Sequence, residues 1–177
     1  SKQIDSILKY NYRLISRSND SRVTDRNASY REKLDIISKS KITLVHNLLF
    51  LRKDHIKALK KIKFIDKNLA FKNVFQKPFW SFFRKLTPAP QIKMRTFEAA
   101  FCKSLILCRK DDFNVIENFF EKDKEFIYYE NKKEMEIIMK DVLSNYDKYL
   151  PIIERAFNKA INNYTTKKFA EKYLSQI

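Results

Sequence analysis

The chain runs for 177 residues without a single glycine, where average usage of about 7% would supply roughly a dozen. Glycine takes positive φ and allows close backbone approach at little steric cost. Phosphate-cradling loops, nucleotide-binding turns and type I′ hairpins lean on it. A sheet-rich enzyme is hard to build without it. A helical bundle needs glycine mainly at C-caps, where Asn can substitute. Asn19, Asn68, Asn73 and Asn131 stand near the expected helix ends. The missing glycine therefore points to an all-α chain and argues against Gly-dependent phosphate loops and nucleophile elbows.

Apolar spacing agrees with that reading. Ile4, Ile7, Leu8, Leu14 and Ile15 predict a first helix over about 2–17, followed by a polar loop to residue 27. Ser29 and Glu32 make a capping box. Behind it Leu34, Ile37, Leu44, Leu48, Leu51, Ala58, Ile62, Ile65 and Leu69 keep a 3-4 spacing that predicts one long helix near residues 29–70. Phe71, Val74, Phe75, Phe79, Phe82, Phe83 and Leu86 form another stripe, closed by the stiff, extended stretch Thr87-Pro-Ala-Pro90. Further helices are expected over 91–109, after Asp111 or Asp112, around Met135–Tyr146 and from Pro151 onward. No strand pair stands out. The expected architecture is one bundle of about five to seven helices over 1–177, with an internal boundary placed at 87–90.

Charge is distributed unevenly. Residues 1–51 carry 10 basic and 5 acidic side chains, 52–110 carry 16 and 3, and 111–177 carry 11 and 13. A compositional bias toward lysine would not spare the last third, so the pattern suggests an anionic partner. The first candidate surface is Arg52, Lys53, Lys57, Lys60, Lys61, Lys63 and Lys67, a basic stripe suited to tracking phosphates. The plain alternative is a solvated helix face. The second candidate is the aromatic and basic segment 71–86. There Phe75, Phe79, Trp80 and Phe83 beside Lys72, Arg84 and Lys85 suit an anionic membrane surface or stacked bases. The plain alternative is a row of core aromatics.

Catalytic and metal signatures are weak. His46 and His55 lie nine apart with no acidic or Cys cluster at ligand spacing. Cys102 and Cys108, six apart in an expected helix, face different ways and cannot easily bridge, which fits a reducing compartment. No run of 18 apolar residues and no signal-peptide pattern is visible. The sequence thus predicts an intracellular, cytoplasmic or nuclear, non-catalytic module without catalytic residues, metal or cofactor. Its expected partner is nucleic acid, bound through the basic face of residues 52–95. The alternatives are peripheral binding to an anionic membrane and a helical protein–protein adaptor or effector-like scaffold. No small-molecule substrate is expected.

Overall fold

The computed structural model describes residues 5, 7–52 and 86–173. It overturns the all-α expectation: the fold is mixed α/β. Contacts divide the chain into two compact units, one formed by residues 1–46 and 93–177 and the other by residues 47–92.

The larger unit is built on a three-stranded sheet. Its strands are β1 (Ile42–Val45), β4 (Leu105–Arg109) and β5 (Ile127–Tyr129), in the order β1-β4-β5. All three are parallel, with Ile42 opposite Leu105 and Leu107 opposite Ile127. The helices are α1 (Tyr30–Ser38), α2 (Met94–Phe101), α3 (Lys132–Ser144), α4 (Leu150–Asn163) and α5 (Thr166–Tyr173). Short 3-10 turns cover Val115–Asn118 and Tyr146–Tyr149.

Central strand β4 explains the core. Leu105, Ile106, Leu107 and Cys108 are all buried, as expected of a strand paired on both sides and covered on both faces. Leu107 packs with Tyr129, Met135, Met139 and Ile7, and Leu105 packs with Val142, Tyr149 and Ile153. Ile106 and Cys108 occupy the alternate positions and point to the opposite face. Helix α2 packs on β1 and β4, with Ala99 and Ala100 almost fully buried. Where β1 and β4 begin, the buried hydroxyls of Thr43 and Ser104 satisfy each other at 2.8 Å.

The long helix expected near 29–70 is also overturned. Helix α1 begins at the capping box, with both reciprocal bonds between Ser29 and Glu32 made, but it stops at Ser38. The chain then enters β1 and later β2 (Leu48–Arg52). Leu44 lies in β1 and Leu48 in β2, so the 3-4 spacing between them comes from two separate strands and not from one helix face. The helix expected over 2–17 does not continue beyond a turn in which the Tyr10 N–H donates to the Ile7 carbonyl; Ile15 instead bridges Asp25. The helix expected over 91–109 is split into α2 and β4. The one expected after Asp111 becomes a turn, a 3-10 segment and β5. The last two expectations fare better: α3 spans Met135–Leu143, and α4 begins with Pro151 in its first turn.

This sheet dispenses with glycine for a specific reason. Parallel strands are joined by crossovers, not by two-residue hairpins, so a parallel sheet makes little demand on glycine. The left-handed positions are held instead by Asn27, Lys103, Asn114 and Asp123. Lys103 is the most informative. Its N–H donates to Ala100 O at 3.1 Å and the Ser104 N–H donates to Ala99 O at 3.0 Å. This is a Schellman closure of α2, with lysine at the position glycine usually fills. It turns the chain from α2 directly into β4.

In the smaller unit, β2 pairs antiparallel with β3 (Leu86–Pro90), so that Leu48 lies opposite Pro90 and Phe50 opposite Pro88. The Gln91 N–H donates to Asn47 O at 2.8 Å. That bond makes 47 and 91 a hydrogen-bonded pair, which leaves both prolines at positions whose N–H would point away from the partner strand. The Pro-containing stretch 87–90 thus lies within β3.

Candidate functional site

In an open parallel α/β sheet, ligands bind outside the carboxyl ends of the strands. Here that edge is reached by Val45–His46, by Arg109–Asp111 and by Tyr129–Asn131. Helices α1 and α2 each lead into a parallel strand and α3 leaves one, so all three direct their N-termini toward this edge. They treat their unsatisfied N–H groups differently.

Two of them are closed by the chain itself. The Ser29 side chain accepts from the Glu32 N–H, and Glu32 accepts from the Ser29 N–H at 2.7 Å. At α3, Asn131 accepts from the Glu134 N–H at 3.1 Å, and Glu134 accepts from the Glu130 N–H at 2.7 Å. The neighbouring loop is satisfied in part, since Asn114 Oδ1 is buried with no hydrogen-bond partner. Asp111 accepts from the N–H groups of Phe113 and Asn114, and Lys110 pairs with Glu130 at 2.9 Å. Burial comes first and the Glu117 carboxylate second in holding the Tyr128 phenol protonated well above its ordinary range.

Helix α2 breaks the pattern. Its N-cap is Lys93, with no side-chain cap and no acid in the first turn. Arg95 also lies in that turn. Cations at a helix N-terminus oppose the macrodipole, whereas an anion there is stabilised by it and by the N–H groups. A pocket of about 330 Å³ opens at this point, lined by Lys33, Leu44, Val45, His46, Lys93 and Arg95. Lys33 reaches it from α1, His46 from the end of β1, and Lys93 and Arg95 from the start of α2. Beneath the pocket, Lys33 Nζ lies 2.6 Å from Glu98 Oε1, and the Glu98 side chain is only 3% exposed. The exposed Tyr30 ring lies under the Lys33 ammonium at 5.3 Å.

Of the residues singled out from sequence for an anionic partner or a membrane surface, only Arg52 lies among the described residues. Arg52 is the last residue of β2. Lys53, Lys57, Lys60, Lys61, Lys63 and Lys67 lie outside the described residues, as do Lys72, Phe75, Phe79, Trp80, Phe83, Arg84 and Lys85. His46 lines the pocket, but among the described residues no group of three or more His, Cys, Asp or Glu side chains could hold a metal ion. Lys33 and Glu98 were not singled out from sequence, and Lys93 and Arg95 entered only as part of the basic face of residues 52–95. One signal was available: Glu98 is one of only three acids in the strongly basic stretch 52–110.

The larger unit is thus an α/β domain with a basic pocket at the carboxyl edge of its parallel sheet. Comparison with known families places the chain further. The model of a glycosyl transferase-like family matches residues 8–175, and the chain belongs to that family. No curated protein and no solved structure matches it. Membership overturns the expectation of a non-catalytic module for nucleic acid, membrane or protein partners and points to an enzyme that transfers sugars. It also overturns the expectation that no small-molecule substrate is used, since such a family implies a sugar donor and an acceptor. Among the described residues no helix is long and apolar enough to cross a membrane.

Proposed function

We propose that the chain binds a sugar donor whose leaving group is anionic, a phosphate or diphosphate ester, in the pocket formed by Lys33, His46, Lys93 and Arg95. The uncapped, cationic N-terminus of α2 is the observation that carries this reading. In the transfer, the bond from the anomeric carbon to the leaving oxygen breaks, and the leaving group keeps the electron pair. The acceptor hydroxyl oxygen forms the new bond to the anomeric carbon, and its proton passes to water or to the departing phosphate oxygen. Negative charge therefore grows on the leaving group, where Arg95, Lys93 and the first N–H groups of α2 stabilise it. Such preorganised groups favour the transition state over the donor because the charge they meet is larger there. The two free thiols, Cys102 and Cys108, support a reducing, intracellular setting.

Titration with sugar 1-phosphates and nucleoside diphosphate sugars, read by calorimetry, tests the reading. Phosphorylated donors should bind and the matching methyl glycosides should not. Arg95→Gln should weaken donor binding by about tenfold, the loss of one charge-assisted contact. Equal binding of neutral glycosides, or full donor affinity in R95Q, would refute it.

A further inference from the structure

We infer that Glu98 is a positioning residue for anion binding: it holds the Lys33 ammonium at the pocket wall. This rests on the reading of the pocket as an anion site. Glu98 cannot serve as a simple surface partner, because its side chain is 3% exposed and its Oε2 is buried with no hydrogen-bond partner. Its Oε1 contacts Lys33 at 2.6 Å. Lys33 is thus the charge that compensates Glu98, and it cannot swing away without leaving the carboxylate wholly unpaired. The ammonium has three N–H donors. Glu98 Oε1 takes one, and 23% of the side chain remains exposed where it lines the pocket. The long flexible stem of a lysine would otherwise cost rotamer freedom on every binding event. Glu98 removes that freedom in advance.

The sign of the effect separates this role from plain electrostatics. A buried carboxylate near an anion site repels the anion, so neutralising it should strengthen binding if charge alone matters. A positioning role gives the opposite result. Inorganic pyrophosphate is the probe, titrated by calorimetry into the full chain and its variants. Glu98→Gln, Glu98→Asp and Lys33→Gln should each weaken pyrophosphate binding, E98Q and K33Q by about tenfold. The double variant K33Q/E98Q should match K33Q within about twofold, because both act through one ammonium. E98D keeps the buried charge while withdrawing the carboxylate by one methylene, so it tests the idea even if E98Q does not fold. Tighter or unchanged binding in E98Q or E98D overturns the inference, as do losses that multiply in the double variant. A wild-type chain that does not bind pyrophosphate at all overturns the anion-site reading, and this inference falls with it.

Discussion

Several side chains at the residue scale are set by one or two neighbours. Asp141 is held by hydrogen bonds from Tyr149 first, then Asn145 and Lys148, and its pKa falls to about 2. An unfolded Asp titrates near ~3.9. Because the folded value is the lower one, the stabilisation is complete above the unfolded value and is lost as pH falls from ~4 through ~2. Asp141→Asn should therefore melt below wild type at neutral pH, and the gap should close by about pH 2, as followed by circular dichroism. The cysteines give a second test. Burial, then the Glu98 charge, pushes the Cys102 thiol up, and Cys108 is fully buried in β4. Both should resist alkylation in the native protein at neutral pH, and two thiols should react once it is denatured without reductant. One or no reactive thiol would indicate a disulfide. Lys33→Met leaves Glu98 buried with neither oxygen paired, which should cost about 3 kcal/mol in urea unfolding, the low end of the range because Lys33 is partly exposed.

Among the elements, local sequence decides how the helices begin and packing decides how the sheet is filled. Ser29→Ala removes the side chain that caps α1 and should cost about 1 kcal/mol of unfolding free energy. Leu107 is fully buried at the centre of β4, so Leu107→Ala should cost about 2–5 kcal/mol, depending on how far Met135, Met139 and Tyr129 close the cavity. A loss under ~1 kcal/mol would mean that β4 is not the central strand. The capping box and the N-terminal proline of α4 could be read from the chain because each is a contact within a few residues. Strand β4 could not. Its apolar run follows Phe97 and Phe101 at a spacing of four, which a helix accommodates equally well. The Lys103 turn that separates α2 from β4 carries no glycine to announce it.

For the whole molecule, the two units should differ in cooperativity. Strand β4 is paired on both sides and covered on both faces, whereas β2 and β3 form a two-stranded pair. Amides of Leu107 and Cys108 should exchange near the global unfolding limit, and those of β2 should exchange sooner. Equal protection in native-state hydrogen exchange would refute this. The carboxyl edge of the sheet is likewise a property of the whole unit. Lys33, His46 and Arg95 come from α1, the end of β1 and α2, and only the parallel crossover brings them to one pocket, with Glu98 paired to Lys33.

What could be settled from the order of residues was local or additive: the starts of α1 and α4, the uneven charge, and two thiols without a bridge. Each depends on neighbours in the chain or on sums over it. The end of α1 before Leu44 and the identity of β4 as a strand were decided in three dimensions. An apolar residue four from the next one satisfies a helix and a strand equally, and only the partner it is buried against distinguishes them. Lys33 stands far along the chain from Lys93 and Arg95, and only the fold, which packs α1 beside α2, gathers the three cations around one concavity at the uncapped end of α2.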